Sequence, residues 1–293
     1  MHKNVARRHF LQRIAAGSGA LAFAGSETPA AAEDKYLTSV RLDNFNLYYE
    51  LHGDGPPVVF AHGAGGTHMS WWQQVPAVSQ KYKCITIDHR TFGYSRDLKD
   101  GPGRRAFVQD LRGLLDQLGI QKTALVGQSM GGSTVLGFAA AHPDRVSALI
   151  MSDTTGGYSS PQIAELRRTL APAPASIDRA FAPGFAKRDP ARAFLYREIN
   201  ALTQAANQPP AAQQNTPAAS TDIRPVLDKK IPVLFIVGEQ DQLIPPPIIE
   251  AMHKQMPGSQ LVKVPGAGHS VYFEKPDDYN RILLDFLNQH AAA

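Results

Sequence analysis

A single cysteine, Cys84, stands in 293 residues. No internal disulfide can form, so the fold must be stable without one. Cys84 lies in the apolar run Lys83–Ile87 with no base beside it, which reads as a buried thiol rather than a nucleophile. No apolar run reaches the roughly 18 residues that suggest a membrane span, so no stable membrane anchor is expected. Charge of one sign is scarce as well. The chain has 30 basic and 26 acidic residues, but Lys3, Arg7, Arg8 and Arg13, against Glu27 alone, fall within residues 1–32. The remainder holds 26 basic and 25 acidic residues, a balance that offers no patch for nucleic acid. The histidines lack metal-ligand spacing, and no glycine-rich phosphate loop follows the first strand. Neither a metal nor a nucleotide cofactor is expected.

The basic excess has a place of its own. Residues 6–12 read Ala-Arg-Arg-His-Phe-Leu-Gln and resemble a twin-arginine export signal, with Ala6 and Gln12 departing from its consensus. A modest apolar stretch follows from Ile14 to Ala24, softened by Gly17 and Gly19. Ala30-Ala31-Ala32 then offers a small-residue cleavage site before Glu33. In this order the features predict that residues 1–32 engage export machinery and that the mature protein is periplasmic or secreted. That route carries folded proteins, which suits a chain without disulfides.

Beyond the leader, apolar runs alternate with helical patterns. Val40–Leu42 and Phe45–Leu51 alternate in polarity and predict an antiparallel pair. Pro57–Ala61, Cys84–Asp88, Ala124–Val126, Val146–Met151 and Val233–Val237 are short apolar runs of the kind found in parallel strands covered on both faces. Phe107, Leu111, Leu114, Leu115 and Leu118 recur at helical spacing, with Gly119 as a stop. Ile282, Leu283, Phe286 and Leu287 mark a final helix. The alternation predicts an α/β fold with a doubly wound, mostly parallel sheet. The rhythm breaks in a proline-rich stretch, residues 154–225, which still holds helical patches at Ile163, Leu166 and Leu170 and at Leu195, Ile199 and Leu202. This is read as a small helical cap inserted into a core formed by 33–153 and 226–293. Ala205–Ser220, rich in Ala, Gln and Pro, is read as an irregular, mobile return loop.

Chemistry gathers at the ends of those strands. Residues 125–132 read Leu-Val-Gly-Gln-Ser-Met-Gly-Gly, a G-x-S-x-G turn between a strand and a helix. Such a turn strains the serine so that its hydroxyl projects above the sheet, and the flanking glycines make room for it. The helix N-terminus beneath favours developing negative charge. Residues 60–66, Phe-Ala-His-Gly-Ala-Gly-Gly, follow another apolar strand. Gly238-Glu239-Gln240-Asp241 follows the Val233–Val237 run. Gly266-Ala267-Gly268-His269-Ser270 is a glycine-flanked loop before the last helix.

On these residues the chain is similar to the α/β-hydrolase superfamily over about Val40 to Gln289, most of all to small capped esterases, enol-lactonases and non-haem haloperoxidase-like enzymes. The resemblance implies Ser129 as nucleophile, His269 as base and Asp241 as acid, in the family's chain order. Asp153, at another strand end, is a rival for the acid. The resemblance also implies an oxyanion hole made by the backbone amides of Ala64 and Met130. Many relatives carry a bulky aromatic at the Ala64 position, so a roomier acyl side is expected. His62 competes as base but precedes the serine, and is read as an orienting loop residue. Asp88-His89-Arg90-Thr91-Phe92-Gly93-Tyr94-Ser95 resembles the family's D-x-R-G-x-G-x-S stretch, with Thr91 in place of Gly, and is read as structural. Trp71 and Trp72 are read as helix packing residues. Phe181 and Phe194 in the cap are candidates for substrate contact, with Phe185 and Tyr196 as further apolar material. The expected activity is hydrolysis of a small to medium carboxylic ester or lactone through an acyl-enzyme, without a cofactor. Carbon–carbon bond hydrolysis, perhydrolysis, cofactor-free oxygenation and slow-turnover ligand reception remain open, because a fold does not choose a substrate.

Overall fold

A computed structural model describes residues 38–42, 45–98, 101–170, 177–204 and 220–291. The expected export signal and all but the last residue of Ala205–Ser220 lie outside the described residues. Eight strands form one sheet: β1 (Thr38–Leu42), β2 (Phe45–His52), β3 (Pro57–Ala61), β4 (Lys83–Ile87), β5 (Thr123–Gln128), β6 (Val146–Ser152), β7 (Val233–Gly238) and β8 (Gln260–Val264). Their spatial order is β1-β2-β4-β3-β5-β6-β7-β8. β2 pairs antiparallel with both β1 and β4, and every other neighbouring pair is parallel. The doubly wound, mostly parallel sheet expected from the alternation is therefore present.

Period-two burial explains why the central strands read as continuous apolar runs. In β3, Val59 and Ala61 join one core, while Val58 and Phe60 join the other. In β5, Leu125 faces the first core, and Ala124 and Val126 face the second. Strand β8 was not anticipated from the sequence. It lies at the sheet edge, with Gln260 and Lys263 exposed, so no long apolar run announces it.

Ten α-helices are described: α1 (Val75–Val78), α2 (Phe107–Gln117), α3 (Met130–Ala141), α4 (Pro161–Thr169), α5 (Phe185–Arg188), α6 (Pro190–Gln204), α7 (Arg224–Asp228), α8 (Pro246–Lys254), α9 (Val271–Glu274) and α10 (Pro276–His290). On α2 the periodic residues Leu111, Leu114 and Leu115 are fully buried, each worth about 1.5–3 kcal/mol of burial. Gly119 ends this helix at φ 67°. Helix α4 packs on α8, and α7 packs on α3. Residues Tyr36–Ala293 form one compact unit.

Cys84 is buried, and that burial pushes its thiol up to about 12, as a structural cysteine requires. Trp71 is fully buried, 5.2 Å from Phe60 and 4.9 Å from Tyr272 by ring centroids. Trp72 packs from one side only: its ring lies edge-on, 6.3 Å from Phe273 by centroids, and the residue is 44% exposed. The two follow each other at the end of a 3-10 turn, His68–Trp71, where successive side chains diverge by about a third of a circle. The Asp88–Ser95 stretch has buried polar anchors. Asp88 accepts the His68 N–H at 2.6 Å and the Tyr94 N–H at 2.8 Å. Arg90 forks onto Asp110 at 2.7 and 2.9 Å and reaches Asp97 at 2.8 Å. Thr91, standing where the resemblance puts Gly, has φ 74°, a left-handed backbone that a β-branched residue adopts under strain.

Candidate active site

The candidate residues lie beyond the C-terminal ends of parallel strands, where ligand sites of open α/β sheets gather. Ser129 follows β5 at φ 50° and ψ −113°, a conformation that costs a non-glycine residue roughly 1–3 kcal/mol. The surroundings enforce it. The Ser129 N–H donates to Ser152 O at 3.0 Å, and Ser129 O accepts from Gly132 N–H at 3.0 Å and from Thr154 Oγ1 at 2.8 Å. A Cβ at Gly127 would sit 2.5 Å from Val135 Cγ2 and 2.7 Å from Gly131 O, and one at Gly131 would strike the Ala61 carbonyl. The two glycines of the motif are thus demanded by helix α3 crossing close over β3 and β5. Met130 opens α3, so its N–H has no acceptor within the helix.

The loop after β3 lies against this elbow. A Cβ on Gly63 would stand 3.3 Å from Ser129 Cβ and would collide with the Gln128 side-chain oxygen. Ala64 follows on the exposed side. His62 is fully buried, its Nδ1 2.7 Å from Gly63 O and its Nε2 accepting the His89 N–H at 3.0 Å. Burial lowers it to about 4, so it is a neutral imidazole with Nδ1–H donating. With both nitrogens engaged by backbone, His62 orients the loop.

His269 is 5% exposed, and its Nδ1 lies 2.8 Å from Asp241 Oδ2. Asp241 Oδ1 accepts the N–H groups of Leu243 and Ile244 at 2.8 and 2.9 Å, which fixes the carboxylate plane. The His269 carbonyl accepts from Gln128 Nε2 at 2.9 Å, tying the histidine loop to the residue before Ser129. Asp153 has different partners: it accepts the Gly238 N–H at 3.0 Å and lies 3.3 Å from Ser152 Oγ. Its burial, then the Asp241 charge, raise it well above the usual carboxylate range. Of the two rival acids, Asp241 is the one that meets the imidazole.

Helix α6 reaches the loop after β3 and the His269 loop. Asn200 Nδ2 donates to Gly65 O at 3.3 Å, and Thr203 Oγ1 donates to Gly66 O at 3.1 Å. Tyr196 OH accepts from Ser270 Oγ at 3.2 Å, beside His269. Phe181 is buried, with ring centroids 4.6 Å from both Phe185 and Tyr196. Phe194, the other residue expected to contact substrate, is 63% exposed. The inward side of α6 runs through Ala193, Tyr196, Ile199 and Thr203, and Phe194 is turned one residue away from it. The sequence offered no signal for Gln128, for the α6 contacts or for Glu274, whose carboxylate accepts the Gly268 N–H at 2.8 Å and the Ala182 N–H at 2.9 Å. Two roomy cavities, of about 650 and 660 Å³, lie elsewhere, at the starts of β7 and β8 and beside β2. Neither is lined by the elbow or the His269 loop. Among the described residues no three His, Cys, Asp or Glu side chains group as metal ligands, and no helix is long and apolar enough to cross a membrane.

A strained serine pinned between close-packed glycines, with a carboxylate-held imidazole on a later loop, is the geometry of nucleophile-elbow α/β proteins. The chain belongs to the α/β hydrolase family, whose family model matches residues 58–282. It is 27% identical to a putative carbamate hydrolase from Caulobacter sp., over 84% of this chain and 97% of the relative. Among solved structures it is similar to a bromoperoxidase from Bacillus anthracis, at 27% identity and a TM-score of 0.71 over 86% of this chain and 99% of that one. It is also similar to a thermophilic esterase from Thermogutta terrifontis, at 27% identity and a TM-score of 0.69 over 86% and 98%. These relatives carry three different named chemistries, so membership fixes the scaffold and leaves the substrate to the site.

Proposed function

We propose that the protein is a serine hydrolase that cleaves a small to medium carboxylic ester or lactone through an acyl-enzyme. One observation carries this reading: Ser129 is held at φ 50° beside a histidine loop whose imidazole sits 2.8 Å from a hydrogen-bonded carboxylate. In the mechanism, His269 Nε2 takes the Ser129 proton as Oγ bonds to the carbonyl carbon. The carbonyl electron pair moves onto oxygen, where the N–H groups of Ala64 and Met130 receive it. One such donor is worth about 10²–10³ in rate in a comparable enzyme. Asp241 holds the Nδ1–H tautomer and stabilises the imidazolium. Collapse of the intermediate expels the alcohol, which takes the proton from His269; from a lactone the alcohol stays on the acyl chain. Water then gives a proton to His269 and attacks the acyl carbon, and Ser129 departs with that proton.

The small Ala64 leaves space on the acyl side. The seat of α6 on Gly65 and Gly66 and the Phe181 ring cluster limit it from the cap side. Both support short or medium acyl groups over long-chain lipids. A fluorophosphonate probe tests the nucleophile: it should label the wild type and leave Ser129→Ala unlabelled, and an unlabelled wild type would sink the reading. A panel of p-nitrophenyl esters and lactones then tests the substrate class. Labelling without turnover of any of them would favour a ligand receptor. The Arg7-Arg8 leader supports a periplasmic or secreted location. Replacing both arginines with lysine should leave the precursor in the cytoplasm, and normal export and trimming of that variant would refute the assignment.

A further inference from the structure

Glu274, the last residue of α9, is 4% exposed. Its two oxygens serve two different segments: Oε1 accepts the Gly268 N–H at 2.8 Å, and Oε2 accepts the Ala182 N–H at 2.9 Å. Gly268 immediately precedes His269. Ala182 belongs to the inserted cap. The two segments press together so closely that a Cβ on Gly268 would strike the backbone of Phe181 and Ala182. Arg192 of α6 grips the same turn, with Nη1 3.2 Å from both Phe273 O and Glu274 O. We propose that Glu274 is a positioning residue: its carboxylate clamps the cap to the histidine loop and thereby sets the placement of His269. The inference rests on the proposed role of His269 as base.

The chemistry of the clamp follows from its acceptors. An ionised carboxylate takes an N–H on each oxygen. A protonated acid carries hydrogen on one oxygen and serves the two segments unequally, and a buried N–H without an acceptor is costly. Burial raises Glu274 to about 7, against the pull of the two N–H groups, of Arg188 on α5 and of the adjoining Lys275. Asp153 beyond β6 and Tyr196 on α6 feel its charge in turn, and Asp241 and His269 lie on the loops beside it. The clamp therefore changes charge near neutrality, and rising pH should loosen the histidine loop as the buried carboxyl ionises.

Glu274→Gln tests this, because the amide NH₂ has no lone pair for the second N–H. Hydrogen exchange at Gly268 and Ala182 should quicken by about tenfold or more. The downfield His269 Nδ1 proton signal should move. With a small ester, kcat should fall about tenfold while KM stays within about twofold. Unchanged exchange with an unmoved His269 signal in folded Glu274→Gln overturns the clamp, whether or not any ester is turned over. If the variant does not fold, the wild type decides. Protection of the two amides must weaken as pH rises through about 7, because the closed site holds the Glu274 proton more tightly than an opened, solvated carboxyl does, and pH-independent protection overturns the clamp. A wild type that no fluorophosphonate labels sinks the serine-hydrolase reading alone, since amide exchange still decides the clamp.

Discussion

Helices α2 and α6 each cover another part of the fold, and they hold on with different materials. The inner side of α2 is Phe107, Leu111, Leu114 and Leu115, all buried. The inner side of α6 mixes Ala193 and Ile199 with Tyr196, Asn200 and Thr203, and its large apolar residues Phe194 and Leu202 are 63% and 54% exposed. Apolar burial is non-directional and scales with area, so α2 adds stability without demanding one orientation. A few hydrogen bonds onto Gly65 and Gly66 carbonyls add little area but fix where a helix sits. The region beneath α2 therefore holds the protein together, while the region beneath α6 holds a geometry.

The largest break in that comparison lies in the loops under the cap. Asp241→Asn should lower kcat by about 10⁴, by analogy with a serine protease, with little change in unfolding free energy. Asp153→Asn should leave most activity, since its carboxyl contacts Gly238 and Ser152 and not His269. A severe Asp153→Asn with a mild Asp241→Asn would reverse the assignment of the acid. On the α2 side, Leu114→Ala should cost about 2–5 kcal/mol in urea unfolding and leave kcat/KM of the folded protein near wild type.

Glu274 sharpens the contrast through pH. Its folded value, about 7, stands above the ordinary 4.5, so its contribution to stability is fully present below about 4.5 and is lost as pH rises through about 7. Relative to Glu274→Gln, the wild type should lose on the order of 3 kcal/mol across that window, read as the difference in unfolding free energy at each pH. A constant difference would mean that the group does not titrate there. The smallest effect belongs to α6. Thr203→Val removes the bond to Gly66 O and should cost about 1 kcal/mol, while KM for esters shifts more than Tm does. Equal changes in Tm from Thr203→Val and Leu114→Ala would erase the distinction between the two helices.

Local pattern carried much of this structure. The hairpin and five parallel strands were legible because short Val- and Ile-rich runs leave few alternatives. The Ser129 elbow was legible because its glycines and serine are neighbours in the chain, and steric demand there acts over a few residues. Edge strand β8 escaped because exposed Gln260 and Lys263 interrupt its apolar residues. The exposure of Trp72 and Phe194 was not legible, because an aromatic residue in a helical stretch says nothing of which way the helix is turned.

The sequence by itself determined the alternation that builds the sheet, the placement of reactive residues at strand ends and the strained turn at Ser129. Only the tertiary structure decided which carboxylate meets His269, what Asp153 contacts instead, which side of α6 faces inward and that Glu274 joins Ala182 to Gly268. The physical reason is distance along the chain. A turn or a strand is settled by clashes and burial among adjacent residues. A hydrogen bond between residue 182 and residue 274 exists only after the sheet has stacked, the cap has docked and water has been excluded between them.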